Sequence, residues 1–123
     1  MSKIIVAESA GFCFGVNRAI NILYKLIDEN KPACTLGPII HNMQMVNELR
    51  EKGVRTIDKI SEVKENETIV IRSHGVPQSI VDEINERHLD YIDATCPFVS
   101  KIHKIVSETD DDSIVIIAGD KNH

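Results

Sequence analysis

Hydrophobic period is the strongest constraint on this chain, because it switches repeatedly between the spacing of a strand and that of a helix. Short apolar runs at residues 3–7, 33–36, 54–57, 68–71, 90–93 and 114–118 read as strands. Between them lie stripes at three- and four-residue spacing. Val16, Ala19, Ile20, Leu23, Leu26 and Ile27 form the first, and Met45, Val46 and Leu49 the second. Ile80, Val81 and Ile84 form the third, and Val99, Ile102 and Val106 the fourth. Strands alternating with helices through short turns call for an α/β fold, with a parallel or mostly parallel sheet and helices on both faces. The run 68–71 is the best central strand. Turn chemistry agrees with this segmentation. Asp28, Asn30 and Pro32 end the first helix, Asn42 suits an N-cap, and Gly53 suits a stop. Pro77 suits the first position of a helix, and the polar residues 58–67 suit a loop or a single helical turn.

The chain of 123 residues has room for one small α/β domain and the beginning of another. Residues 1–96 are expected to be the first domain and 97–123 the start of a second. A lone strand with one helix cannot bury both its faces, so the sequence reads as the front part of a longer protein. Net charge is −5 with no lysine or arginine block, which leaves no electrostatic footprint for nucleic acid. No apolar run approaches the ~20 residues that span a bilayer. Val6 and Ala7 are followed at once by Glu8 and Ser9, which is no signal-peptide core. A soluble, cytoplasmic protein without nucleic-acid or membrane partners is expected. Its three cysteines are odd in number and far apart, which suits free thiols or metal ligands better than a disulfide frame.

Chemistry gathers at the turns. In Gly11-Phe12-Cys13-Phe14-Gly15-Val16 two glycines bracket a cysteine where strand period gives way to helix period. Glycine permits close backbone approach there, and the free N–H groups of a helix amino terminus favour an anion such as a thiolate. Cys13, His41, His74, Cys96 and His123 each follow an expected strand, and the carboxyl ends of parallel strands form the edge where ligands bind. Taken singly, Cys13 or Cys96 reads as a small buried hydrophobe, and His41 or His74 equally as a surface or capping residue or as part of a site. Taken together they read as a site. Cys34 lies inside its strand and is assigned to the core. His88 falls near the end of the third helix, where a cation suits the dipole, and His103 beside the apolar stripe of the fourth. Two thiolates with imidazoles could hold zinc, although no tight Cys-x-x-Cys pair is present. They could equally hold an iron–sulfur cluster, with histidines left to grip an anionic substrate. Composition does not choose, and a Cys/His zinc-binding or structural α/β module without redox activity is the alternative.

Five motifs in order carry a resemblance to a known family. They are Gly11-Phe12-Cys13-Phe14-Gly15-Val16 with Arg18-Ala19, then Gly37-Pro38-Ile39-Ile40-His41-Asn42, then Arg72-Ser73-His74-Gly75-Val76. Asp93-Ala94-Thr95-Cys96-Pro97 and Gly119-Asp120-Lys121-Asn122-His123 complete the set. The chain resembles 4-hydroxy-3-methylbut-2-enyl diphosphate reductases, LytB-type iron–sulfur enzymes that end the methylerythritol phosphate route to isoprenoids. The resemblance implies one of three similar domains of a trefoil-like enzyme, plus the opening of the next. It implies that Cys13 and Cys96 are metal ligands holding a [4Fe–4S] cluster, with the third cysteine ligand absent from this chain. His41 and His74 would bind the substrate diphosphate, and His123 would be a substrate-binding and catalytic position. The implied partners are an allylic diphosphate and an electron donor such as ferredoxin or flavodoxin. The reaction implied is reductive dehydroxylation to isopentenyl and dimethylallyl diphosphate, with this fragment inactive by itself.

Overall fold

The computed structural model describes residues 2–119. Helix α1 (Phe14–Asp28) leads into strand β1 (Ala33–Leu36), helix α2 (Met43–Glu51) and strand β2 (Arg55–Ile57). A single 3-10 turn (Ile60–Glu62) precedes β3 (Thr68–Ile71), α3 (Gln78–Glu86), β4 (Tyr91–Asp93) and α4 (Pro97–Ser107). The four strands form one parallel sheet in the order β2-β1-β3-β4. Register is set by the pairs Cys34 with Ile69, Thr35 with Thr56, and Val70 with Ile92.

Alternation along the strands divides the core in two. Ala33, Val70 and Ile92 face the layer made by α1 and α2, where Ala19, Ile20, Leu23, Leu26 and Leu49 pack. Cys34, Ile69 and Ile71 face the opposite layer, built on Ile84 of α3 and Ile60 of the 3-10 turn. The topology demands this division. The step from β1 to β2 runs one way across the sheet and the step from β3 to β4 runs the other. Two crossovers of the same hand must therefore put α2 and α3 on opposite faces. Leu23 and Ile84 are wholly buried, each contributing roughly 1.5–3 kcal/mol relative to exposure. The two helices of the first layer are also tied by Tyr24, whose hydroxyl donates to Glu48 at 2.6 Å. That bond to a carboxylate, together with partial burial, holds the phenol above its ordinary pKa.

Three helices end in the same way. After α1, α2 and α3 the chain passes through a left-handed residue, Asn30 (φ 53°), Gly53 (φ 96°) and His88 (φ 53°). In each case the next N–H reaches back to the last buried turn: Lys31 to Leu26 O, Val54 to Leu49 O, Leu89 to Ile84 O. This is the Schellman closure, which satisfies carbonyls the helix leaves open. His88 is therefore also the chain-reversing residue that follows α3. Asn42 caps α2 as expected, its Oδ1 accepting the Met45 N–H at 3.1 Å. Pro77 is one position earlier than expected, serving as the N-cap of α3.

Two expected strands do not form. Residues 3–7 and 114–118 carry no strand pairing, and Ile4, Ile5 and Ile114 are 89%, 78% and 90% exposed. A strand exists only with a neighbour to take its backbone hydrogen bonds, and neither edge of the sheet, β2 or β4, receives these runs. The fourth stripe does form a helix, α4, but it ends at Ser107, ahead of the acidic run 110–112. None of its residues is buried, and Phe98, Ile102 and Ile105 stay exposed. No helix among the described residues is long and apolar enough to cross a membrane.

Candidate functional site

The carboxyl ends of β1, β3 and β4 open on one edge of the sheet. From β1 the chain runs through Gly37 to His41, from β3 through Arg72 and Ser73 to His74, and from β4 through Ala94 and Thr95 to Cys96. The rings of His41 and His74 stand 5.4 Å apart, tilted by 38°. Their proximity follows from topology. β1 and β3 are neighbours, yet the helices that follow them go to opposite faces, so the two loops part and leave a crevice between them. Gly37 (φ 71°) lets the first loop turn, and a methyl there would lie 3.1 Å from Arg72 Nη1. Arg72 brings a guanidinium to the same strand end, with its Nε buried and without a hydrogen-bond partner.

Cys13 reaches this region by another route, since none of the described residues ahead of it is in a strand. It is the N-cap of α1, and Cys96 is the N-cap of α4; neither side chain makes a capping bond. The two helix starts meet at Gly15, where an added methyl would lie 2.7 Å from Cys96 Sγ. The Cys96 N–H donates to Ser73 O at 2.8 Å, joining the thiol turn to the His74 turn. Gly75 (φ 77°) brings His103 in from α4, and a methyl there would lie 2.9 Å from the His103 ring. A cavity of about 630 Å³ beside His74 is lined by Pro77, Ile102, His103 and Lys104 among others. His123 lies outside the described residues. Cys34 is core, as its strand position implies: it is wholly buried. Burial, reinforced by the neighbouring Glu67 carboxylate and opposed only by Arg55, pushes its thiol up to about 12.

The donor set suits a soft metal group in part. Two thiols, the softest donors in the chain, stand at the amino termini of α1 and α4. Among the described residues no group of three or more His, Cys, Asp or Glu side chains is placed to hold a metal ion. The histidines sit apart as a pair at the crevice, suited to an anion. Sequence reasoning passed over Arg18 and Arg72 as individual actors. The only signal was their place inside the motifs, since nothing in a sequence says which way a guanidinium folds.

A parallel sheet with helices on both faces, and thiols and imidazoles in the turns at its carboxyl edge, defines the chain as an α/β domain. The family model described as LytB protein matches residues 4–123, and the chain belongs to that family. A 4-hydroxy-3-methylbut-2-enyl diphosphate reductase of Clostridioides difficile (strain 630) is 43% identical over 123 residues, covering 98% of this chain and 44% of that protein. One of Aquifex aeolicus (strain VF5) is 44% identical, covering 100% of this chain and 43% of that protein. A solved structure of (E)-4-hydroxy-3-methyl-but-2-enyl diphosphate reductase, the terminal enzyme of the non-mevalonate pathway, superimposes with a TM-score of 0.79 at 43% identity. It matches 100% of this chain and 44% of its own. The E-1-hydroxy-2-methyl-but-2-enyl-4-diphosphate reductase of Plasmodium falciparum gives 0.74 at 31% identity, over 80% of this chain and 31% of its own. The chain thus spans less than half the length of the relatives it matches.

Proposed function

We propose that the protein containing this chain is a cytoplasmic reductase that removes the hydroxyl of 4-hydroxy-3-methylbut-2-enyl diphosphate. The carbon–oxygen bond breaks, two electrons and two protons enter, and water leaves with isopentenyl or dimethylallyl diphosphate as product. The observation that carries the reading is the meeting of three turns, the Cys96 turn on Ser73, α1 against Cys96 at Gly15 and His41 beside His74, in a chain of this family. Cys13 and Cys96 would hold a [4Fe–4S] cluster together with a further thiolate, and His41, His74 and His123 would bind substrate. When bound, the cluster supplies electrons, drawn from a carrier such as ferredoxin or flavodoxin.

The work of this chain is then binding and orientation. A diphosphate laid against His41 and His74 accepts charge-assisted hydrogen bonds from their ring N–H groups. Arg72 adds positive charge to the same strand ends. The crevice fixes the anionic tail at the switch point, while the thiol turns are anchored beside it by the Cys96–Ser73 backbone bond. Residues 1–96 make the first domain and residues from 97 onward open a second. The exposed apolar residues of α4 support that division.

Anaerobic reconstitution of the full-length protein tests the reading. A brown protein with broad absorption near ~400 nm supports iron–sulfur ligation by thiolates, and reduction of the allylic diphosphate with an artificial donor supports the activity. A colourless protein taking up one zinc through Cys13 and Cys96 would overturn both.

A further inference from the structure

Cys13 and Cys96 lie 83 positions apart in sequence, on two helices that share no strand pairing. One side chain bridges them. Arg18, on the second turn of α1, donates from Nη1 to Thr95 O at 3.3 Å and from Nη2 to Asp93 O at 3.4 Å. Those carbonyls belong to the turn that ends in Cys96. A guanidinium is suited to this, because its rigid planar fork presents two separate nitrogens to two acceptors at once. The same turn is stiffened internally, since the Thr95 N–H and hydroxyl both donate to Asp93 Oδ1. On its other side α1 is fixed to the Cys13 loop by Asn17, whose Nδ2 donates to Phe12 O at 2.9 Å.

We infer that Arg18 is a positioning residue that sets the distance between the two thiols, with Gly15 as the gap that lets them approach. The inference rests on the proposed cluster-binding role of Cys13 and Cys96, and adds a residue that touches neither sulfur. Three contacts make the device: the Arg18 fork, the absent side chain at Gly15, and the Cys96 N–H on Ser73 O. Of these only the fork reports on both helices through a side chain that can be changed without altering the backbone. Folding does not need it in the way it needs Leu23 or Ala19, because Arg18 is half-buried at the rim of the first layer and outside the apolar cluster.

The test uses the full-length protein with Arg18→Met and Arg18→Lys. In the apo protein, a short bis-thiol reagent is applied and the Cys13–Cys96 bridged peptide is quantified by mass spectrometry. In the reconstituted protein, iron release to a chelator is timed. Arg18→Met is expected to slow bridging and speed iron release, each about tenfold, or ~1.4 kcal/mol. Arg18→Lys, which keeps the charge but not the fork, should fall between. The melting temperature of the apo protein is followed alongside, and a Met variant that has lost its fold is replaced by the Lys variant as the deciding measurement. Bridging and iron release at wild-type rates in a folded variant would overturn the inference. A failure of the underlying reading looks different: wild-type protein that binds no iron–sulfur cluster, or Cys13→Ser and Cys96→Ser variants that keep it.

Discussion

Substituting Gly15 by alanine sets two opposed effects against each other, and the structure decides between them. Propensity favours the change by about 1 kcal/mol in a helix interior, and by less in a first turn. Space opposes it. Carbon atoms rest about 3.5–4.0 Å apart, so a methyl 2.7 Å from Cys96 Sγ and 2.8 Å from Cys96 Cβ intrudes by about 1 Å. A rotamer change could move the sulfur away, but Cβ is fixed to the backbone and the Cys96 turn is tied to Ser73 and Arg18. Overpacking of this sort costs about 1–3 kcal/mol, so the net expectation is a loss of up to ~2 kcal/mol. The assay is urea unfolding followed by circular dichroism, run as a double-mutant cycle with Cys96→Gly, which removes both intruded atoms. Glycine is tolerated at an N-cap, so the cycle isolates the clash. The coupling expected between the two positions is about 1–3 kcal/mol. Additive effects across the cycle would refute the claim that α1 and the Cys96 turn are in contact there.

Other expectations follow from the core and the crevice. The Cys34 thiol is raised to about 12 in the fold and ionises near ~8.5 when unfolded. A raised value means its stabilisation is whole below ~8.5 and is lost as pH climbs from there toward about 12. Unfolding free energy should therefore fall by up to ~1.4 kcal/mol per pH unit across that window, and Cys34→Ala should flatten the slope. Asn42→Ala removes the cap on Met45 N–H and should cost about 1 kcal/mol, read as a lower urea midpoint. In the full-length protein, His74→Asn should retain iron while weakening diphosphate capture about ten- to a hundred-fold, measured as a rise in the apparent substrate constant. Loss of iron without change in that constant would defeat the assigned role.

The four paired strands, the four helices and the cap at Asn42 were legible because period and turn chemistry are local properties. Residues 3–7 and 114–118 were not, for a physical reason. An apolar run states a demand for burial, and whether a neighbour answers it is decided elsewhere in the protein. His88 shows the converse, a residue whose backbone role in reversing the chain was not visible in its side chain. At the site, the strand ends could be named from the sequence, and the structure brings His41 to His74 and Cys96 to Gly15. What sequence could not convey was the contact geometry: the Arg18 fork, the unpartnered Arg72 Nε, and the packing of His103 on Gly75.

The bare flank of α4 has a consequence in time as well as in space. Amides exchange with solvent through local openings whose free energy tracks the apolar contacts that must be broken. In this chain α1, with five buried residues, should exchange only through large-scale opening, while α4, with none, should open by fraying. Cys96 is the N-cap of that fraying element, and Cys13 the N-cap of the protected one. The two thiols therefore belong to units with different lifetimes. In deuterium the amides of 98–107 should be labelled long before those of 18–28, and whatever packs on α4 will set how long the Cys96 side of the pair stays in place.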